Sequence, residues 1–122
     1  MIQSYKDLVV WQKAMDLSVS CYRLTADFPK EEVYGLTAQV RRAASSIAAN
    51  VAEGHGRDNT GSFIQFLRMA QGSLKELETH LLIAERVGVA PNTSTEPILT
   101  DCEAVGRMLR ALIRSLQLKK PG

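Results

Sequence analysis

Apolar residues recur at steps of three and four along four segments of the chain, and no stretch alternates β-branched with polar residues as a strand would. The pattern predicts an all-α protein with helices over about residues 6-27, 36-54, 60-88 and 96-118. Pro29 disfavours helical geometry at Phe28 and so ends the first helix. Gly54 offers the left-handed C-terminal cap of the second, and Asp58, Asn59 or Thr60 an N-cap for the third, which runs to Gly88. Ser94 or Thr95 would cap the fourth, with Pro97 in its first turn. The apolar stripes of helix 3 (Phe63, Leu67, Ala70, Leu74, Leu77, Leu81, Ala84) and helix 4 (Ile98, Cys102, Val105, Leu109, Leu112, Leu116) step strictly by four and three. That is the seam of left-handed bundle packing, and short connections make consecutive helices neighbours of opposite direction. The expected architecture is one domain, an antiparallel up-down-up-down four-helix bundle.

Helix 1 carries more apolar surface than one seam requires. Leu8, Trp11, Met15, Val19 and Tyr22 form one stripe, and Val10, Ala14, Leu17, Cys21, Leu24 and Phe28 another, with centres roughly 140° apart on the helical wheel. One stripe faces the bundle core and the other needs a second partner. A neighbouring subunit would supply it, with Val10, Ala14, Leu17, Cys21 and Leu24 as the oligomer interface. The alternative is a broad wedge buried inside a monomer.

Helix 2 has a core face of Leu36, Val40, Ala43, Ile47 and Val51, and a second arc of small residues, Ala38, Ser45, Ala48, Ala49 and Ala52, that lets another helix or subunit come close. Between them Gln39, Arg42, Ser46, Asn50 and Glu53 share a polar arc, while Arg41 stands among the small residues. One reading makes this arc a solvated face, or a set of charge-assisted ties between helix ends and subunits. The other has Arg41, Arg42 and Arg57 contacting phosphates, because the planar, always-charged guanidinium matches phosphate oxygens. Helix 4 adds Arg107, Arg110 and Arg114 in a narrow arc opposite its leucine seam, extended by Lys119 and Lys120. Attraction of cations to a helix C-terminus explains the last turn but not Arg107.

The 122 residues fit one domain, and 45% hydrophobic with 23% charged residues is ordinary globular composition. No run approaches the ~18 apolar residues of a membrane span, and the opening MIQSYKDLVVW lacks the basic and apolar regions of a secretory signal, so a cytoplasmic protein without membrane partners is expected. Net charge is only +2, too little by itself to mark a nucleic-acid binder; repetition of the helix 4 stripe around an oligomer would concentrate it. Cys21 and Cys102 sit at apolar helical positions and read as buried, reduced thiols.

Catalytic patterns are sparse. EGHGR follows a helix, whereas a phosphate cradle follows a strand, and His55 and His80 have no partners at metal-ligand spacing. No metal, cofactor or small-molecule substrate is expected. Ser73, Glu76 and His80 share one side of helix 3, but a helix interior offers few free backbone donors for an oxyanion, so the trio reads as a hydrogen-bonded polar face. His55, flanked by glycines, is expected in solvent.

The segments VWQKA, FPKEEVYGLTAQVRRA, NVAEG and GSLKELET, in this order, resemble the bacterial four-helix-bundle family of proteins encoded within 23S rRNA intervening sequences. The resemblance covers about residues 5 to 88; SSIAAN stands where family members often carry a proline. It implies a homopentamer of antiparallel bundles forming a barrel with a central channel. The family is similar to the accessory variability protein of diversity-generating retroelements, a basic pentamer that associates with reverse transcriptase and nucleic acid. Its motif positions fall here on Gln39, Arg41, Arg42, Asn50, Glu53, Gly54, Arg57, Gly72, Ser73, Glu76 and Glu78, none of them a known catalytic site. Together with the charge pattern, the resemblance points to a non-enzymatic oligomer that binds RNA or a nucleic-acid-associated protein through arginines, either Arg41, Arg42 and Arg57 or Arg107, Arg110 and Arg114, since an inward helix 2 arc and an outward helix 4 stripe cannot both face one ligand. A ring that docks a partner protein, its arginines serving subunit contacts, is the alternative.

Overall fold

The computed structural model describes residues 3–119, and Lys120 lies outside them. The chain forms four helices, α1 (Val9–Thr25), α2 (Leu36–His55), α3 (Thr60–Arg86) and α4 (Asn92–Lys119), with short 3-10 turns at Tyr5–Asp7 and Lys30–Glu32. No strand occurs among the described residues. The helices make a bundle in which α1 and α3 each pack on both α2 and α4, so α1 lies diagonal to α3 and α2 to α4.

Local chemistry sets the boundaries. The first helix starts three residues later than expected, at Val9 rather than Lys6. Ser4 and Asp7 form a capping box that closes their own 3-10 turn, and Leu8 is extended, with φ −75° and ψ 123°. At the start of α2 the Glu32 carboxylate accepts the Leu36 N–H at 3.1 Å. Asn59 is the N-cap of α3, its side chain accepting the Ser62 N–H at 2.7 Å. Past the end of α3, Gly88 takes φ +78°, and the N–H groups of Val89 and Ala90 both reach back to the Ala84 carbonyl. The fourth helix starts earlier than expected. Pro91 turns the chain into Asn92, its carbonyl accepting the N–H groups of Ser94 and Thr95. Thr95 is therefore no exposed cap: it is fully buried, its hydroxyl donating to the Glu85 carboxylate and so tying α4 to α3. Pro97 falls inside the helix rather than in its first turn.

The core follows the four-three stripes, with one reassignment and one slip. On α1, Val10, Ala14, Leu17 and Cys21 are 5%, 0%, 1% and 0% exposed and Leu24 packs against the same core, so the set assigned to the oligomer interface is the protomer's own seam. The other stripe faces outward, with Met15, Val19 and Tyr22 exposed and Trp11 half-buried. Near the end of α4, burial moves from Leu112 to Ile113, and Leu112 and Leu116 only lean on the core. A straight helix drifts relative to a strict seven-residue repeat, so a long stripe rotates off its seam.

Gly54 differs from its expected role. It is helical and buried, and a Cβ built there would lie 2.6 Å from the Phe66 Cβ and 3.0 Å from a ring carbon of Phe63. The residue is glycine because α3 runs against the α2 backbone here. The left-handed glycine is Gly88. Further along the same interface Ser46 pairs with Ser73 at 2.8 Å, and α3 meets α4 where the Leu74 side chain faces Gly106. Gly54→Ala should lower stability by about 1–3 kcal/mol through overpacking. Chemical denaturation checks this, and a loss near zero would mean the two helices separate freely.

Candidate nucleic-acid interface

The three arginines of the second helix region do not gather into one site. Arg41 reaches back to the end of α1: its Nε donates to Thr25 Oγ1 at 2.8 Å, its Nη2 to the Tyr22 carbonyl at 3.4 Å, and its guanidinium lies 4.5 Å from the Tyr22 ring centre. The Thr25 hydroxyl in turn donates to the Cys21 carbonyl at 2.8 Å. Arg41 therefore ties α2 to the last turn of α1, adding a second donor to a Tyr22 carbonyl that already accepts the Ala26 N–H at 3.1 Å. Arg57 pairs with Glu53 at 3.0 Å and lies 4.8 Å from the Phe66 ring centre, a tie along the end of α2. Of these three, only Arg42 is exposed and has no ion pair among the described residues.

Arg42 borders an open groove between α2 and α3 with Gln39, Ser46, Ser73 and Glu76. The polar arc is knitted together here: the Asn50 Nδ2 donates to the Ser46 carbonyl at 2.9 Å and to its hydroxyl at 3.1 Å, and Ser46 meets Ser73 across the interface. The Ser73 hydroxyl is thus engaged with Ser46, and no hydrogen bond joins it to Glu76 or His80. Gly72 stands free, with nothing within 4 Å of where its Cβ would be. His55 is not in solvent: it ends α2 half-buried, edge-on to the Phe63 ring at 5.7 Å between centres.

Helix 4 presents a different picture. Arg107 and Arg110 line a groove of about 560 Å³ between α3 and α4, whose other walls include Gln71 and Lys75 and whose floor includes Leu74, Cys102 and Gly106. Arg114 continues the exposed row toward the end of α4. Among the described residues none of the three arginines has a carboxylate within ion-pair distance, whereas Lys75 pairs with Glu78 at 3.0 Å. Glu78 and Glu103 mark one end of the groove and Arg110 the other, so its charge is polarised along the axis. Lys75 and Gln71 were not singled out from the sequence. Their signal is positional, since they lie on the flank of the α3 stripe that turns toward α4.

The family follows from the whole chain. The model of the 23S rRNA-intervening sequence protein family matches residues 6–111. The chain belongs to this family. The match extends past α3 through most of α4, beyond the segments whose wording first suggested it. The fold is shared with a protein of unknown function from the S23 ribosomal protein family of Bacteroides thetaiotaomicron, at TM-score 0.77 and 23% identity over 86% of this chain and 98% of that one. A comparison with curated proteins finds no match. Family membership therefore accounts for the four-helix architecture and leaves the ligand to be read from the surface. No helix among the described residues is long and apolar enough to cross a membrane, and no cluster of three or more His, Cys, Asp or Glu side chains is placed to hold a metal ion.

The two cysteines are free and buried. Burial pushes the Cys21 thiol up to about 12. Cys102 moves in the same direction, by burial first and then by Cys21 and the carboxylates of Glu78 and Asp101. Both thiols stay protonated in the folded chain, while in the unfolded chain they ionise near about 8.5. The unfolded state then loses protons first, so stability falls as pH rises past that value and is unaffected below it. Urea midpoints between neutral pH and about 10 should show the fall, and replacing both cysteines with alanine should flatten it.

Proposed function

We propose that this chain is a non-enzymatic cytoplasmic protein whose four helices run up-down-up-down and antiparallel, that copies of it assemble into a ring, five being the favoured number, and that the ring holds RNA by its phosphates. The register of contacts supports the antiparallel course: Gly54 meets Phe63 and Phe66, while the earlier Ser46 meets the later Ser73. The outward stripe of α1 supports assembly, because a contiguous apolar surface on a helix is costly to leave in water. Engagement of the Ser73 hydroxyl with Ser46, away from Glu76 and His80, supports a binding rather than a catalytic role.

One observation carries the ligand class. Arg107, Arg110 and Arg114 stand in an exposed row beside an open groove, without an ion-pair partner among the described residues. Cations held open in a row suit a polyanion, since each phosphate neutralised releases counterions. α4 carries no aromatic residue on which a base could stack, so contacts would go to the backbone without regard to sequence. The family's name, which refers to sequences intervening in 23S rRNA, makes a structured RNA the first ligand to try.

A labelled RNA duplex titrated between about 50 and 200 mM salt should bind with an affinity that falls linearly on a log–log plot. Replacing Arg107, Arg110 and Arg114 with alanine should weaken binding at least about tenfold and reduce that slope by roughly 3. Arg41→Ala should leave RNA binding alone and lower stability by about 1–2 kcal/mol, the worth of its hydrogen bonds to α1. Affinity indifferent to salt, or equal in the triple variant and the parent, would overturn the phosphate reading. It would favour the alternative, a scaffold whose ring docks a partner protein.

A further inference from the structure

The contacts between α3 and α4 fix how the two helices are matched along their length. Leu74 faces Gly106, and eleven residues further along α3 the Glu85 carboxylate accepts the hydroxyl of Thr95, eleven residues back along α4. One register therefore spans three turns of the joint, on the antiparallel course proposed above. At 100° per residue Glu78, Gln71, Lys75 and Arg68 fall within about 80° on α3, and Glu103, Arg107, Arg110 and Arg114 within about 60° on α4. To within about 3 Å along the axis, the register sets Glu78 across from Glu103, Lys75 across from Arg107, Gln71 across from Arg110 and Arg68 across from Arg114. The first three of these rungs line the groove of about 560 Å³, and Arg68 and Arg114 continue its two rims.

Signs match across this joint instead of alternating. Acid faces acid at one rung, base faces base at two, and the remaining rung sets an amide against Arg110. Like charges repel, so a pair of helices arranged for stability alone would set opposite signs across the seam. Arg68, Arg107, Arg110 and Arg114 are exposed, and none has an ion-pair partner among the described residues. Lys75 pairs only with Glu78 of its own helix, its side chain 73% exposed, and such a surface pair holds weakly. Charges placed against the stability of the fold mark a site where a ligand supplies the missing sign. What is missing here is negative charge, along three consecutive rungs that span about 10 Å.

We propose that the α3–α4 groove seats one unpaired strand of RNA lengthwise, its phosphates held from both walls, by Arg68 and Lys75 of α3 and by Arg107, Arg110 and Arg114 of α4. The proposal rests on the phosphate reading given above and narrows its ligand from RNA in general to a single strand. Width argues for the strand. Packed helix axes stand about 8–10 Å apart, a gap that one sugar–phosphate chain enters and that a duplex, two strands wide, can only lie across. A duplex then meets the α4 row alone, whereas a strand between the rims meets both. The floor argues against a partner helix as occupant. Leu74 and Cys102 are 2% and 0% exposed, so the groove leaves no apolar surface for an amphipathic helix to cover. The Glu78–Glu103 rung ends the seat by repelling the next phosphate. No aromatic residue lines the groove, so the bases stay outside it.

Titration of the full chain with a labelled oligouridylate, which does not pair with itself, and with duplex RNA of the same length tests the seat. The oligouridylate should bind more tightly than the duplex. Arg68→Gln combined with Lys75→Gln should weaken the oligouridylate at least about tenfold and reduce its log–log salt slope by about 1.4, at roughly 0.7 per phosphate contact on a single strand. Duplex binding should be unchanged in that variant. Arg68→Glu should weaken the oligouridylate further while its urea midpoint stays at or above the parent's, because the rung with Arg114 then carries opposite signs. A lowered midpoint would make Arg68 a structural tie and would overturn the proposal. Equal oligouridylate affinity in the double variant and the parent, a preference for duplex, or equally tight binding of an acidic helical peptide at the same residues would also overturn it. Duplex binding that depends on the α4 arginines, with no gain for the oligouridylate from α3, removes the two-walled seat alone. Salt-independent binding of both nucleic acids removes the phosphate reading itself.

Discussion

The approach of α2 to α3 at Gly54 governs how the rest of the bundle can be arranged. With the Phe66 Cβ lying where any side chain at position 54 would stand, and a ring carbon of Phe63 beside it, the α2 backbone meets α3 directly. That contact sets the distance at which Ser46 finds Ser73. The small residue Ala43, buried beside the α2–α3 groove, continues the close approach along α2. Polar side chains beside so tight a seam have short spans to cross. Asn50 folds onto Ser46, and Glu53 holds Arg57 beside the Phe66 ring. The polar arc of α2 is in good part the lacing of this joint.

The arginines separate by what surrounds them. Arg41 sits where α1 ends, and the Thr25 hydroxyl and Tyr22 carbonyl of that end accept its donors. Arg107 and Arg110 project from the middle of a long helix whose own carbonyls are already bonded, beside a groove whose carboxylates lie at one end. A guanidinium near a helix terminus finds work inside the fold, and one on a mid-helix flank remains open to solvent and to ligands. Family membership accounts for the bundle, and this difference in surroundings turns attention from α2 to α4.

Helix number, type and most boundaries were legible from spacing, because each apolar stripe, cap and proline acts within a few residues of itself. The start of α4 was not, since Thr95 looks like a cap until the Glu85 carboxylate is seen beside it. The two stripes of α1 were plain, but which of them faces inward was not. Periodicity records that a helix has two apolar sides, and only packing against α2 and α4 decides that Val10, Ala14, Leu17 and Cys21 are covered while Met15 and Val19 are not. Gly54 misled for a related reason: near a helix end, glycine serves either a left-handed turn or a close neighbour, and the neighbour here comes from the next helix. The grouping of Lys75 and Gln71 with the α4 arginines depends on the register between α3 and α4, which no single-helix pattern contains.

The charge gradient of the α3–α4 groove bears on how a ligand would arrive. Acidic Glu78 and Glu103 stand at one end and the arginines follow along the axis, so the groove carries a lengthwise dipole as well as a local excess of positive charge. A chain of phosphates bound as proposed would be drawn to the arginine end and turned from the acidic one before any contact formed. Orientation would then act at a range set by the Debye length, about 10 Å in 0.1 M salt, and encounters would be sorted by direction before any bond is made.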